Sequence, residues 1–197
     1  MPDLFDTEPG QTPLDPDERE ALIPGHIQVR SELNEWEAMN ISKAQRKYLF
    51  GPRRRFDLHD PEFLKKIHKE MFDETWKWAG AYRRSDKNFG VPWWKIPEEM
   101  KKVGDDFKYW KENKTYSPLE IALRYHHRII CVHAFANGNG RHGRLVADLF
   151  IRESKAPTLT WGSKEMIKKG EFREFYMQAM RKADRGDFSD LNLFATS

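Results

Sequence analysis

The sequence has few of the features that mark several large classes of protein. Its 197 residues contain one cysteine, Cys131, which excludes an intrachain disulfide framework and a zinc site built from several cysteines. No stretch approaches the roughly 18 consecutive apolar residues of a membrane span. The first residues are acidic and proline-rich, where a signal peptide would be basic and then apolar. We therefore expect a cytoplasmic protein with no membrane partner.

An excess of one charge is lacking as well. The 34 Lys and Arg residues against 31 Asp and Glu leave a net charge of +3, which sets no strong long-range field. Basic clusters occur at residues 53–55 and 83–84, but without the interleaved aromatic residues of a nucleic-acid surface. We interpret both clusters as solvated surface and expect no direct contact with nucleic acid.

The composition favours one folded domain. Hydrophobic residues are 39% of the chain, far from the composition of a disordered protein, and the length suits one buried core better than two. Residues 1–24 hold five of the eleven prolines and little periodic pattern, so they are predicted to form an extended arm. We expect an N-terminal helical segment over residues 25–58 and the main domain over residues 59–195.

Helical spacing of apolar residues dominates the main domain. It predicts helices from Pro61, from Glu98 to about Asn113, after Gly140 and from about Ser163. The run Ser117-Pro118-Leu119-Glu120 has an N-cap serine, a proline at the first helical position and a glutamate at the third, which predicts another helix start. Between them, residues 79–97 have glycines, a central turn signal and flanking aromatics typical of a short β-hairpin. The predicted fold is all-α with one hairpin.

The segment HAFANGNGRHGR, residues 133–144, carries the chemistry. Its G-x-G-x-x-G spacing is not a dinucleotide fingerprint, because a capped helix precedes it where that fold needs a strand. A glycine loop that enters a helix N-terminus instead predicts an anion site. Arg141 and Arg144 are three residues apart and can grip separate phosphates of a polyphosphate. His133, just before the loop, is a candidate base for an incoming hydroxyl.

This segment resembles the signature H-x-F-x-[DE]-G-N-G-R-x-x-R of the Fic (Fido) family. The matching positions are His133, Phe135, Gly138, Asn139, Gly140, Arg141 and Arg144. In particular, the chain is similar over nearly all its length to the Fic subfamily called mobile mystery protein B. The resemblance implies a bacterial protein adenylyltransferase with a mainly helical fold, ATP as substrate together with Mg²⁺, and a target protein with a modifiable hydroxyl as partner.

The resemblance also implies roles for single residues. His133 would deprotonate a Ser, Thr or Tyr hydroxyl, which attacks the α-phosphate of ATP. Asn139 and the backbone N–H groups of Gly138 and Gly140 would hold phosphates, with Arg141 and Arg144 neutralising charge. The hairpin tip, Lys87-Asn88-Phe89, would align the target segment by strand addition.

Asn137 departs from the family pattern, which has Asp or Glu there to bind Mg²⁺. A neutral amide offers one carbonyl oxygen and no charge, so we expect weaker metal binding, with Mg²⁺ held mainly by the ATP phosphates.

A second family motif, [ST]-x-x-x-E-[GN], has an inhibitory glutamate that pairs with the second arginine and blocks ATP. Ser31 and Glu35 match its serine and glutamate, although Trp36 replaces the small last residue, and Glu37 is a competing candidate. The resemblance thus implies auto-inhibition by an N-terminal glutamate.

Three alternatives remain open at this stage. A metal hydrolase could draw on His126, His127, His133 and His142, but no H-E-x-x-H or acidic trio completes it. The same scaffold could transfer another nucleotidyl group or a phosphate. The chain could also be a non-catalytic nucleotide-binding, toxin-like module. A homodimer is compatible with all of these.

Overall fold

Eight α-helices form most of the regular structure in residues 14–52, 55–162 and 169–197, which are the residues described by this computed structural model; the side chains of residues 169–172 are outside that description. The helices are α1 (Pro16–Arg19), α2 (Arg30–Gln45), α3 (Pro61–Phe72), α4 (Ile96–Asn113), α5 (Pro118–Val132), α6 (Asn139–Ser154), α7 (Lys169–Ala183) and α8 (Ser189–Thr196). A π-helical turn, Arg46–Phe50, follows α2, and a 3₁₀ turn, Trp93–Lys95, precedes α4. The mainly helical prediction is confirmed.

The predicted start and end of α5 are both confirmed. The Ser117 hydroxyl accepts a hydrogen bond from the Glu120 N–H at 3.2 Å, and Pro118 takes the first helical position. The helix ends at His133, whose φ of 52° is left-handed. Because α6 begins six residues later, the two helices enclose a short loop, and this helix–loop–helix lies at the centre of the fold.

Aromatic packing and polar contacts hold the other helices around this pair. Phe107 of α4 stacks on Tyr125 of α5 with ring centroids 4.3 Å apart. The Tyr125 hydroxyl donates to the carbonyl of Leu58, which closes the core on the α3 side. Helix α2 packs across α3, where the Asn40 amide donates to the Glu70 carbonyl at 3.4 Å. The buried core therefore holds the middle of α5 through Tyr125.

The predicted hairpin is wrong. Among the described residues no strand ladder occurs, and the single isolated bridge joins Leu22 to Trp76. Residues 81–95, which we call the covering segment, end in the 3₁₀ turn and have no cross-strand ladder, and their backbone bonds to the end of α5. The Arg83 N–H donates to the Ala134 carbonyl at 3.0 Å, and the Val91 N–H to the Val132 carbonyl at 3.3 Å. These long-range contacts replace the cross-strand pairs that the turn pattern predicted.

The predicted N-terminal arm contains a short helix in its described part. Helix α1 lies within it, and the chain after α1 bonds to the loop beyond α3. The Ile23 N–H donates to the Thr75 carbonyl, and the Lys77 N–H to the Ala21 carbonyl, each at 2.9 Å. Docking thus orders residues 14–24, whereas residues 1–13 lie outside the described residues.

The last predicted helix corresponds to α7, and its expected beginning near Ser163 falls in residues 163–168, outside the described chain. Throughout the part of the chain that the structure describes, no helix is both long enough and apolar enough to cross a bilayer.

Candidate active site

His133 lies where α5 ends and the motif loop begins. The side chain is 3% exposed, and its left-handed backbone turns the chain away from the helix axis. The next three residues, Ala134, Phe135 and Ala136, are buried as well. Phe135 stacks on His68 with ring centroids 3.7 Å apart, so it fixes the loop to the core, as the sequence indicated. The imidazole is therefore held on a loop that has little freedom to move.

Asn139 connects the two ends of this loop. Its side-chain oxygen accepts from the Phe135 N–H at 2.9 Å, and its side-chain nitrogen donates to the Phe135 carbonyl at 2.8 Å. These two bonds fix the orientation of the amide, so the second hydrogen on nitrogen points to Nε2 of His133 at 3.2 Å. The lone pair of the imidazole consequently lies on Nε2. The Asn139 side chain is thus engaged with the loop rather than directed at a phosphate.

Burial keeps the His133 imidazole neutral. It lowers the pKa to about 3, with smaller contributions from the positive charges of Arg83 and Lys87. A neutral imidazole can accept a proton, but one with so low a pKa is a weak base until its surroundings change. A polyphosphate beside the ring would offset the two cations and raise the pKa.

Arg83 is a buried residue in contact with His133 that the sequence did not indicate. We predicted solvated surface at residues 83–84, and the structure corrects this for Arg83, whose side chain has no exposed area. Its Nε donates to the His133 carbonyl at 2.7 Å, and the other two nitrogens donate to the Ser85 carbonyl at 2.7 Å and the Val91 carbonyl at 2.5 Å. One guanidinium thus joins the covering segment to the backbone of His133. Arg84 is exposed, as expected.

The covering segment lies directly over His133. The Phe89 ring meets the imidazole edge-on with centroids 4.2 Å apart, while Asn88 is exposed. Gly90 has a φ of +101°, and a Cβ there would lie 2.7 Å from the Cβ of His133. Only glycine fits this close approach without displacement.

Lys87, predicted to align a target, is buried in an ion-pair cluster with the arm. Its side chain is 3% exposed, and its nitrogen lies 2.8 Å from an Asp15 oxygen and 2.6 Å from a Glu18 oxygen. Ser85 also donates to Asp15, at 2.6 Å. This cluster, which we call the arm clamp, fastens the covering segment to α1. The part of the predicted tip that remains accessible is Asn88 and Phe89.

The predicted anion site corresponds to the start of α6. Gly138, the N-cap, has a φ of +80°, and a Cβ there would lie 2.5 Å from the Phe72 ring, so a side chain is excluded. Its N–H is taken by the Asn137 side-chain oxygen at 2.6 Å. Helix geometry leaves the N–H groups of Gly140 and Arg141 without intrahelical acceptors. Phosphate oxygens would therefore meet Gly140 and Arg141 rather than Gly138.

Arg141 is paired with Glu37. One Glu37 oxygen lies 2.6 Å from Nη1 of Arg141, and the other accepts from the Trp76 indole N–H at 2.7 Å. The side chain of Glu37 is 8% exposed. A second Arg141 nitrogen donates to the Asn137 side-chain oxygen at 3.3 Å, and the guanidinium lies over the Phe72 ring. Glu37 thus pairs with Arg141, one of the two arginines that the sequence predicted to bind phosphate.

Glu35, the first candidate for the inhibitory role, is exposed on α2, and so is Ser31. The glutamate that pairs with an arginine is Glu37, and its partner is Arg141. The family motif had led us to expect the second arginine, Arg144. The sequence did contain a signal for Glu37. Leu33, Glu37, Asn40 and Ala44 are the buried residues of α2 and recur at helical spacing, which puts Glu37 on the inner face.

Arg144 lies one turn further along α6, half-buried between Tyr176 and Asp148. Its guanidinium lies over the Tyr176 ring, 6.0 Å from the centroid. Burial raises the pKa of Asp148 to about 7, against the opposing effects of the Trp161 hydrogen bond and the Arg144 charge. The two arginines therefore differ: Arg141 is engaged by a carboxylate, and Arg144 faces an aromatic ring.

The four histidines of the metal-hydrolase alternative do not converge. His126 bonds to the Tyr176 hydroxyl, His127 to Asp184, His142 to the Leu64 carbonyl and His133 to Asn139. Asn137, the predicted weak Mg²⁺ ligand, already accepts hydrogen bonds from Gly138 and Arg141 on its one side-chain oxygen. Neither the separated histidines nor this neutral, already bonded amide oxygen fits a Mg²⁺ ion held by the protein, because Mg²⁺ prefers free anionic oxygens.

Comparison with known sequences identifies a relative of the central region. Residues 58–151 match the sequence model of the Fic/DOC family. The protein adenylyltransferase Fic of Nematostella vectensis is 26% identical over 112 residues, which are 55% of this chain and 25% of that protein. The chain thus spans about a quarter of the length of this curated relative.

Two solved structures share the architecture over most of this chain. BepC, a VirB-translocated effector of Bartonella tribocorum with bound AMPPNP, has a TM-score of 0.65 at 19% identity and covers 91% of this chain and 96% of its own. The N-terminal Fic domain of a Bep effector from Bartonella quintana, with bound ADP, has a TM-score of 0.65 at 18% identity, covering 90% and 93%. At such identity the likeness shows a common fold.

Proposed function

We propose that this chain transfers AMP from ATP to a Ser, Thr or Tyr hydroxyl of a target protein. The premise is a Fic domain in this chain, which the family match and the structural neighbours support. The observation that carries the proposal is the position of the neutral His133 Nε2 beside the N-terminus of α6 and its two arginines. The names of the sequence relative and the nucleotides bound by the two structures support the same activity. Assignment to the mobile mystery protein B subfamily is part of this proposal.

The reaction moves one proton and exchanges one bond at phosphorus. The target hydroxyl approaches Nε2 of His133 in place of the 3.2 Å contact from Asn139 and gives its proton to that nitrogen. Its oxygen bonds to the α-phosphorus as the bond to the bridging oxygen of the β-phosphate breaks. Pyrophosphate leaves, and Arg144 together with a released Arg141 stabilises its charge. Mg²⁺ would be held by the nucleotide phosphates.

Accessible residues of the covering segment could present the target. Asn88 and Phe89 lie at the surface directly above His133, so a peptide laid across them would place a hydroxyl near Nε2. Phe89 must swing aside for that approach, since its ring covers the imidazole.

Mass spectrometry of the protein after incubation with ATP and Mg²⁺ tests the activity. We expect the added mass of one AMP on a hydroxyl residue, with a second copy of this chain as the available target. His133→Ala should abolish the addition, while His59→Ala, at an exposed histidine, should retain it. An added AMP that persists in His133→Ala would overturn the assignment of the base.

Auto-inhibition by Glu37 is a further part of the proposal. Its carboxylate neutralises Arg141 and occupies one of the positions where a phosphate would bind. Glu37→Gly should raise self-modification about 10-fold or more, since a charge-assisted bond contributes about 1.5–3 kcal/mol. Glu35→Gly changes an exposed residue of the same helix and serves as the control. Equal rates in the two variants would remove Glu37 as an inhibitor.

A non-catalytic nucleotide-binding module is the second candidate, and Asn137 is the observation in its favour. Its single side-chain oxygen is engaged by two donors, which leaves little for a metal. Under the enzyme proposal, Asn137→Asp should lower the Mg²⁺ concentration needed for transfer; an unchanged Mg²⁺ titration would mean that this position does not face the metal. Under the binding proposal, wild type and His133→Ala should bind labelled ATP equally and transfer nothing. A panel of labelled nucleotides distinguishes AMP transfer from transfer of another group.

A further inference from the structure

We propose that His127, Cys131 and Asp184 form a binding site for one divalent transition metal ion of the zinc type, separate from the His133 site. His127 and Cys131 are four residues apart and share one face of α5, and Asp184 directly follows the last residue of α7. Among the described residues this is the one group of three such side chains whose ligand atoms all lie within 4.8 Å of each other.

The distances between the three ligand atoms fit a tetrahedral ion. Sγ of Cys131 lies 3.4 Å from Nε2 of His127 and 3.6 Å from Oδ1 of Asp184, and that nitrogen and oxygen are 2.8 Å apart. Zinc bonds of about 2.3 Å to sulfur and about 2.0–2.1 Å to nitrogen or oxygen give tetrahedral edges of about 3.3–3.6 Å. Two edges already agree, and the third needs a widening of about 0.5 Å. The exposed Asp184 can move by that amount, since 56% of its side chain is accessible.

The arrangement does not suit a cysteine–histidine–aspartate nucleophile. In such a relay the thiol and the carboxylate bond to opposite ring nitrogens. Here Sγ of Cys131 lies beside the His127 ring, nearer to Nε2 at 3.4 Å than to Nδ1 at 3.9 Å, and Asp184 bonds to the same Nε2. Three ligands that converge on one point instead suit a metal ion, and a set of sulfur, nitrogen and oxygen favours zinc or cobalt over magnesium or calcium. Binding would displace the thiol proton to solvent, and water would complete the fourth position.

The site would link α5 to the residue after α7, beside the proposed nucleotide site. His126, the neighbour of His127, points to the other side of α5, where it bonds to the Tyr176 hydroxyl at 2.9 Å. Tyr176 lies on α7 against Arg144. A metal that joins α5 to the residue after α7 would therefore fix α7 from the opposite side of α5. This role does not depend on adenylyl transfer.

Titration of the EDTA-treated full chain with Co²⁺ tests the site. Because Cys131 is the only cysteine in the sequence, a sulfur-to-cobalt charge-transfer band can arise only from it. We expect this band to saturate at one Co²⁺ per chain, to be displaced by Zn²⁺ and to vanish in Cys131→Ser. His127→Gln and Asp184→Asn should weaken Co²⁺ binding at least 10-fold. His59→Gln, at an exposed histidine outside the cluster, should leave it unchanged.

Thermal unfolding of the unaltered chain gives an independent measurement if a variant fails to fold. Zn²⁺ should raise the Tm of wild type by a few degrees, since a ligand that binds only the folded state stabilises it. Absence of both the band and the Tm shift would overturn the proposal. So would a band of equal affinity in His127→Gln and Asp184→Asn, because that would indicate a cysteine binding cobalt alone.

Discussion

The motif loop and the covering segment meet at His133 but are held in different ways. The motif loop, residues 133–144, has short-range bonds of its own, such as the pair between Asn139 and Phe135 four residues away, besides its contacts with the core at His68. The covering segment is held by residues far along the chain: Lys87 pairs with Asp15, 72 residues away, and Arg83 bonds to the His133 carbonyl, 50 residues away. The orientation of the His133 imidazole is thus set by a nearby residue, whereas the segment that covers it is held by distant contacts.

The difference separates two functions that a site must combine. The proposed base, His133, must have a fixed position, and the buried Asn139 provides it. A target peptide must be able to reach that base, and a segment fastened mainly by an arginine and an ion-pair cluster can move without unfolding the core. Glu37 adds a third contact of the same long-range kind, 104 residues from Arg141.

The largest expected effect that distinguishes the two regions is a loss of stability of the folded protein at acid pH. Burial lowers the pKa of His68, His126, His133 and His142, all on or against the motif loop, and holds them neutral. In the unfolded chain each titrates near its ordinary pKa of about 6.5. Their contribution is complete above that pH and falls as pH drops, by about 1.4 kcal/mol per pH unit for each histidine. Urea denaturation between pH 7.5 and 5.5 should show the midpoint falling steeply.

Proton uptake on unfolding identifies the groups responsible. The number of protons taken up on unfolding sets the slope of the free energy of unfolding against pH. His126→Gln should reduce that number by about one. His59→Gln, at an exposed histidine, should not change it. A flat profile in wild type between these pH values would mean that the buried histidines are not held neutral.

Asn139→Ala should produce the next largest effect and break the loop itself. The substitution leaves the buried N–H and carbonyl of Phe135 without partners and removes the donor to His133. Each unsatisfied group costs about 1–3 kcal/mol, so we expect a loss of about 3 kcal/mol in the free energy of unfolding, measured by urea denaturation. Asn34→Ala, at an exposed position on α2, should change it by less than about 0.5 kcal/mol. Similar losses in both variants would contradict the role of Asn139.

The same contrast explains what could be predicted from sequence. The Ser117 cap, the end of α5 and the glycine entry into α6 depend on residues within a few positions of one another, so spacing and turn preferences predict them. The covering segment has the turn residues of a hairpin, but its conformation is decided by Arg83 and the end of α5. The burial of Arg83 could not be predicted from the pair of adjacent arginines at residues 83–84. The choice of Glu37 over Glu35 could have been made from the period of buried positions in α2.

Gly90→Ala tests the fit between the two regions. The added methyl would meet the Cβ of His133 at 2.7 Å and take a φ of +101°, so it should displace the covering segment. Gly186→Ala provides a matched control, because that residue has a φ of +87° and no atom within 4 Å of the added group. Backbone strain alone should cost Gly186→Ala about 1 kcal/mol. Gly90→Ala should lose about 2 kcal/mol or more, since overpacking adds to strain. Equal losses in urea denaturation would mean that the close approach to His133 has no energetic weight.

Asp15→Asn should have the smallest effect and act on the covering segment alone. Lys87, and then Ser85, lower the pKa of Asp15, so it is a carboxylate at neutral pH. Since 45% of its side chain is exposed, its loss should cost less than about 1 kcal/mol, and salt should reduce the difference. Amide hydrogen exchange should nevertheless become faster at Arg83 and Val91, because their bonds fasten the segment, while the Phe135 amide should keep its rate. Asp17→Asn, at an exposed position of the same helix, is the control. Faster exchange at Phe135 would show that the arm clamp supports the motif loop as well, so that access and position are not separable here.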